Sequence, residues 1–508
     1  LVSINLLYMV HKMHQNFNSL SFDQDQALSN VLVILERAGI NLRTGQISAQ
    51  IPKTKSLHAL IGSAGSGKTA LLSHITEKMV EVGVESISGD FEIRKNKKKR
   101  TVSILAPTNK AANILRMRGV PATTIHRILY TPVYDPDYER IVEWLVGERD
   151  EKPVLDGLSE NSLSRAWDFY RSNKSIPGAL AAAGLKGSDF ISGWKRREEP
   201  LDIGFIDESS MLDDDQLNDL KEIFSTLILF GDPAQLAPIN QSGRMIFDKL
   251  SSENKSVLSQ IHRQASDNPI LKLSNFLLDP ATDFTDFERQ LREIANEDNR
   301  VVWAQRVNVD LMARSPVLVW RNATRIRLIN AFRTVYNAPN DRLLEGEPLI
   351  CDGLELPLKH RKKRIDLEAR GLTKGANVIY LGPGKKMGFS KLFVVGSDAP
   401  RLSAASIIKI ELPNEDEPFI PFAATMGAVF LHGSAVTIHK AQGSQWENVQ
   451  VFGPDIYAAA QTNRMESGLP LWKRLAYVAI TRAQEKLYWI TRSRLSKPVS
   501  PLDISDLN

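Results

Sequence analysis

The stretch Gly62-Ser63-Ala64-Gly65-Ser66-Gly67-Lys68-Thr69 sets glycines, a lysine and a hydroxyl at the spacing that polyphosphate binding requires. An apolar run, Leu57 to Ile61, reads as a buried strand before it, and a helix-like stretch begins at Ala70. Glycines let backbone N–H groups curl around phosphate oxygens, and the helix N-terminus adds a favourable dipole. Lys68 is expected to reach the β- and γ-phosphates of a nucleotide, and Thr69 to ligate Mg²⁺. The plain alternative is a glycine turn before an ordinary helix. A second chemical group lies in LDIGFIDESSML, where a short apolar strand, Ile203 to Ile206, ends in Asp207-Glu208. A carboxylate opposite the loop suits the metal shell, the role expected of Asp207. Glu208 beside it suits a base that orients and deprotonates water. Alone, such a pair reads as a solvated strand end; with the phosphate loop, catalysis is the better reading.

Further segments follow in a fixed order. They are Phe22-Asp-Gln24-Asp-Gln-Ala27, Ile104-Leu-Ala-Pro107-Thr108-Asn-Lys-Ala-Ala112 and Thr123-Thr-Ile-His126. Beyond the acidic pair come Phe230-Gly231-Asp232-Pro-Ala-Gln235-Leu-Ala-Pro238, Ile261-His-Arg263-Gln264, Ala435-Val-Thr437-Ile-His439-Lys-Ala-Gln442-Gly443-Ser444 and Tyr477-Val-Ala-Ile-Thr481-Arg482-Ala483. In sequence and order these resemble superfamily 1 helicases, over residues 22 to 483. The resemblance implies a motor driven by ATP with Mg²⁺, in which Gln24 reads adenine and Gly443 joins the nucleotide site. It also implies that Arg263 and Arg482 enter the cleft from a second lobe as arginine fingers, where a guanidinium stabilises charge on the transferring phosphoryl group. Gln235 follows a buried strand, Leu227 to Phe230, and is expected beside the γ-phosphate.

Pro107, Thr108, His126, Asn322, Thr437 and His439 are the expected strand contacts. Hydroxyl and imidazole groups at strand ends suit phosphate and sugar without reading bases. Each suits equally a turn cap or a buried backbone partner. Gln445 departs from many relatives, which carry glutamate after QGS. GDPAQLAP and TIHKAQGSQ resemble the Dda/RecD-like branch, which implies translocation from 5′ to 3′. Expected partners are single-stranded DNA and single-strand/duplex junctions, with a single-strand-binding protein or replication and recombination proteins beside them. RNA as the track, or an ATP-gated clamp that does not unwind, are the competing readings.

Strand-like runs at 57–61, 101–106, 202–206 and 226–230, then 316–320, 448–453 and 486–491, alternate with helical stretches. The expected fold is therefore α/β, with two RecA-like doubly wound parallel-sheet lobes. The expected division is a tail over 1–18, lobe 1 over 19–262, lobe 2 over 263–495 and a C-terminal tail over 496–508. Lobe 1 is interrupted by 129–200, a wedge or pin subdomain in Dda- and RecD-type relatives. That insert holds Tyr138, Trp144, Trp167, Phe169, Tyr170 and Trp194, most of them expected to be core. Lobe 2 is interrupted by 346–430, whose short strand signals suggest a small β-barrel. Two basic runs, Arg94 to Arg100 and Lys359 to Arg364, read as solvated loops, with duplex phosphates as the alternative.

Composition fits this reading. Of 508 residues, 43% are hydrophobic and 24% charged, as in ordinary globular domains. A net charge of +5 gives weak global attraction to a polyanion, so nucleic-acid contacts must be local. No apolar run is long enough to span a bilayer, and no membrane partner is expected. The single cysteine, Cys351, excludes an internal disulfide and suits a reducing, cytoplasmic setting. The chain opens at Leu1, and translation is expected to begin elsewhere, at Met9 or Met13.

Overall fold

The computed structural model describes residues 20–507, apart from 53, 88–98, 135, 155–158, 174–178, 181, 185–190, 198–199, 239–243, 260–266, 356–365, 369, 398 and 413–425. Arg263 and the Lys359–Arg364 run therefore lie outside the described residues, as does the 1–18 tail.

Lobe 1 opens with helix α1 (Phe22–Arg37), started by a capping box between Ser21 and Gln24. Its strands are β1 (Ser56–Gly62), β2 (Glu85–Ser86), β3 (Thr101–Ala106) and β4 (Ala122–Thr124). A hairpin of β5 (Tyr130–Tyr134) and β6 (Ile191–Arg196) follows, then β7 (Leu201–Ile206), β8 (Phe224–Gly231) and β9 (Lys255–Leu258). Apart from the hairpin they form one sheet, in the order β9-β1-β8-β7-β3-β2 with β4 beside β3. Every pairing in it is parallel. Parallel strands are covered on both faces, which is why all six residues of β7 are buried. Asp202 is the charge among them, and Arg100 answers it: the guanidinium donates to both carboxylate oxygens and to the carbonyls of Ala38 and Ser48. Arg100 thus leaves the basic run and ties the sheet to the end of α1, and a phosphate role for it is corrected. Helices α2 (Lys68–Glu81), α3 (Asn109–Met117) and α4 (Ile125–Leu129) each follow a strand, α2 after the five-residue loop 63–67.

The first insert holds the β5–β6 hairpin and helices α5 (Pro136–Val146) and α6 (Glu160–Asn173). It has its own small core of Ile141, Leu145, Leu163, Ala166 and Leu180, against which Tyr138, Trp144, Trp167 and Tyr170 pack. Those four aromatics are core, as expected. Phe169 is exposed, and the Trp194 side chain lies outside the described residues.

Lobe 2 contributes β10 (Val301–Ala304), β11 (Val317–Val319) and helix α7 (Asn322–Val335). A closed barrel of β12 (Pro348–Glu355), β13 (Asn377–Pro383), β14 (Phe389–Val394), β15 (Arg401–Lys409) and β16 (Gly427–His432) comes next. The chain then returns to the lobe through β17 (Ala435–Thr437), α8 (Ile438–Ala441), β18 (Trp446–Phe452), α9 (Leu471–Ile480) and β19 (Ala483–Ile490). The lobe's sheet runs β10-β19-β18-β11-β17, all parallel. The two sheets with their covering helices are two RecA-like lobes. Helix α9 is buried along its whole length, because it packs between its own sheet and lobe 1. Among the described residues no helix is long and apolar enough to cross a membrane.

Candidate functional site

In parallel sheets the carboxyl ends of all strands share one edge, and ligands gather outside it. Here that edge carries the loop after β1, Asp207 after β7 and Asp232 after β8. The register sets Gly231 beside Ile61 and Ile206 beside Leu229, so the three loops are neighbours. Gly62 must be glycine, since a Cβ there would lie 2.6 Å from Ser66 Oγ and 2.9 Å from Leu258 Cβ. Gly65 and Gly67 take left-handed φ of 81° and 84°, which turns the loop into α2. Lys68 Nζ donates to the carbonyls of Gly62 (2.6 Å) and Ser63 (2.9 Å), and Thr69 follows it in the first turn of α2. Gln24 Nε2 donates to Ser66 O at 3.0 Å, while its Oε1 accepts from Ser21 N. Gln24 thus meets the loop backbone directly, with both ends of its amide engaged.

Asp207 is buried at the end of β7. Burial, and then the Glu208 carboxylate, raise the pKa of its carboxyl, while Lys68 pulls the other way. Glu208 is a non-glycine residue at φ 51°, a strained conformation that recurs at functional sites. Gln235 Nε2 donates to Glu208 Oε2 at 3.0 Å, and Ser210 Oγ donates to Gln235 Oε1 at 3.3 Å. The residues expected at the phosphates, the metal and the water therefore meet in one place. A buried carboxyl beside a second carboxylate offers oxygen donors of the kind a hard divalent cation takes. Among the described residues there is no cluster of three or more His, Cys, Asp and Glu that could hold a metal ion by protein groups alone.

Two side chains of α9 that carried no role in the sequence reading cross to this site. Tyr477 OH donates to Asp232 Oδ2 at 2.6 Å and accepts from Ala64 N at 2.7 Å. Arg474 donates to the carbonyls of Pro233 (2.7 Å) and Gln235 (2.5 Å). Gln442 Nε2 adds a bond to Leu236 O at 3.4 Å. Lobe 2 thereby holds the segment that carries Gln235. The available signal was Arg474 and Tyr477 at a spacing of three on a largely apolar helix, which puts both on one face.

Arg482 stands near enough to Tyr477 for its charge to act on that phenol. Its guanidinium is buried and donates to Val478 O, Ser444 O and Thr481 Oγ1, all within lobe 2. Gly443 lies against lobe 1 at a different point from the phosphate loop: a Cβ there would touch Thr108 Oγ1 at 3.4 Å and Ala111 Cβ at 3.5 Å. Gln445 is exposed and accepts from Gln484 Nε2 at 3.3 Å.

The strand-contact candidates largely converge on a second place, a cavity of about 780 Å³ between lobe 1, lobe 2 and the barrel. Pro107, Thr108, His126 and His439 line it; Thr437 and Asn322 do not. Thr108 and Thr437 also cap helices, accepting from Ala111 N at 3.1 Å and Lys440 N at 3.4 Å. Asn322 Oδ1 accepts from Nε of Arg325, itself a lining residue. Burial lowers the pKa of both His126 and His439, with Arg464 adding to the effect at His439. The barrel supplies Ile350, Asp352, Lys374 and Asn377 to the wall.

Residues 42–283 match the AAA domain family model, and residues 432–490 match that of the UvrD-like helicase C-terminal domain. The chain thus carries an AAA domain match followed by a UvrD-like helicase C-terminal domain match. Among solved structures it is similar to the Pif1 helicase from Candida albicans, at 16% identity over 93% of this chain and 95% of that one, with a TM-score of 0.44. Bacteroides Pif1 bound to ssDNA is similar at 12% identity over 93% and 92%, with a TM-score of 0.44. Bacteroides Pif1 in complex with ADP-AlF3 and ssDNA is similar at 14% over 86% and 88%, at 0.42. No curated protein matches the sequence.

Proposed function

We propose that this chain is an ATP-dependent DNA helicase that translocates 5′ to 3′ on single strands and opens duplex at junctions. The supporting observation is the pairing of two sites across one lobe boundary: the phosphate loop with its acidic pair, and the cavity lined by strand-contact candidates from both lobes. Lobe 1 is taken as 19–262 and lobe 2 as 263–495, with the inserts as wedge and barrel.

Lys68 and the loop amides hold the nucleotide phosphates. Thr69 and Asp207 hold Mg²⁺, which neutralises phosphate charge when bound. Glu208 takes a proton from the attacking water, and Gln235, hydrogen-bonded to Glu208, reports on the γ-phosphate. Tyr477 and Arg474 make the state of that segment felt in lobe 2, where His439 lines the strand-side cavity and Thr437 is assigned to the strand on sequence order alone. Arg482 must leave its carbonyl partners to act as a finger, so its engagement marks closure of the lobes. Arg263 is assigned the second finger on sequence order alone.

The test is ATP hydrolysis with and without oligo-dT, oligo-U or no strand, for the native chain and Lys68→Ala. The expected result is stimulation by oligo-dT that Lys68→Ala abolishes. Stimulation by oligo-U alone would move the track to RNA. Hydrolysis indifferent to either strand would leave the clamp reading.

A further inference from the structure

The carboxyl ends of the lobe 1 strands carry the nucleotide site; a second cavity, of about 700 Å³, opens at their opposite ends. Its walls come from α1, the first residues of β1 and β8, the helix Asp214–Ile223 and the turn Ser252–Asn254. Leu57 pairs with Leu227 and His58 with Ile228, so the two strand starts lie side by side at the cavity. Helix α1 shows how the space arises. Its core face is Ala27, Val31 and Leu35, all buried. Asn30, Val33, Ile34 and Arg37 repeat at the same helical spacing on a second face, and all four line the cavity. Val33 is 40% exposed there, so the described residues leave this face uncovered.

The lining has two parts. Val33, Ile34, Leu57, Phe224, Leu227 and Leu250 are apolar, and the charged groups are Arg37, Lys55 and Lys221 against the single carboxylate Glu253. Lys55 Nζ is committed to the carbonyls of Lys221 (2.6 Å) and Glu222 (2.8 Å) at the end of the helix Asp214–Ile223. The Arg37 guanidinium and the Lys221 ammonium, both on exposed residues, have no partner among the described residues. His58 is 4% exposed, and its Nε2 meets Ser256 Oγ at 2.9 Å, which leaves Nδ1 unengaged. Small-molecule sites have volumes in this range, mainly apolar walls and a few placed polar groups. The excess of cations sets the charge of the occupant, because a wall of one sign concentrates ligands of the other.

We propose that this cavity binds a small molecule with an apolar body and one anionic head group, a carboxylate or sulfonate. The body lies against the valine, leucine and phenylalanine wall, and the head meets Arg37 and Lys221. The site stands at the end of β1 and β8 remote from the phosphate loop and Asp232, and it does not depend on the helicase reading.

The test is fluorescence titration with anilinonaphthalene sulfonate, an apolar ring system with one sulfonate, with Mg-ADP present to occupy the phosphate loop. It is run on the native chain, on Val33→Trp, which fills the cavity, and on Arg37→Glu with Lys221→Glu, which reverses its charge. Saturable binding by the native chain is expected. The charge reversal should weaken it by about tenfold, since two exposed attractions become two repulsions. Val33→Trp should weaken it at least as much. All three positions are exposed, and a misfolded chain binds more of this dye, not less, so a fall reports the site itself. Decanoate should displace the dye, and decanol, with the same tail and no charge, should do so far less readily. Equal dye affinity in the native chain and both variants would overturn the site. Displacement by decanol as readily as by decanoate would overturn the anionic head.

Discussion

Replacing Tyr477 by phenylalanine removes one oxygen and two contacts between lobes. The hydroxyl's bond to Asp232, at 2.6 Å, ends on a buried carboxylate whose pKa burial raises and this bond lowers. Hydrogen bonds to charged groups contribute about 1.5–3 kcal/mol. Its bond from Ala64 N, at 2.7 Å, is neutral and contributes about 0.5–1.5 kcal/mol. The ring still fills its place, so no cavity term enters. Tyr477→Phe should therefore cost about 2–4.5 kcal/mol. The Asp232 share is isolated by a cycle of native chain, Tyr477→Phe, Asp232→Asn and the double variant, followed through urea transitions by tryptophan fluorescence. A coupling of about 1.5–3 kcal/mol is expected for residues in direct contact. A coupling under about 0.5 kcal/mol would show that the two groups do not share a bond in solution, and the link from lobe 2 to the Gln235 segment would lose its main strut.

Other variants test other parts. Arg100→Met leaves Asp202 buried and unanswered, and should destabilise the chain by about 3–5 kcal/mol; Arg100→Met with Asp202→Leu should recover most of that. A cost under about 1 kcal/mol for the single variant would mean that the pair is solvated. Glu208→Gln should bind Mg-ATP but hydrolyse it at least about 10²-fold more slowly, as for a lost general base; lost nucleotide binding would give Glu208 a structural task instead. Cys351 is buried, and burial pushes its thiol up to about 12. At pH 8 it should resist an aromatic disulfide reagent until denaturant is added, and rapid labelling of the native chain would contradict its burial.

The nucleotide side was legible in the sequence because its chemistry is local. Eight consecutive residues make the phosphate loop, and an acidic pair closes a strand whose every position is buried. The two lobes were legible for a similar reason, since parallel strands covered on both faces read as apolar runs. The barrel showed itself as short strands between turns, although its closure through β12 and β16 depends on a pairing that no short window contains. What stayed hidden depends on distance along the chain. Tyr477 and Ala64 are 413 residues apart, and Arg474 and Gln235 are 239 apart. The Arg100–Asp202 pair was missed because a basic run suggests solvent, whereas its last residue turns inward at the start of β3.

The central claim is directional movement along a DNA strand powered at the Lys68–Glu208 site. It is tested most directly with two partial duplexes identical except for the tail, one 5′ and one 3′, unwound in the presence of ATP and Mg²⁺ by the native chain and by Glu208→Gln. The account predicts strand release from the 5′-tailed duplex by the native chain alone. Release from only the 3′-tailed duplex, or equal release by Glu208→Gln, would contradict it.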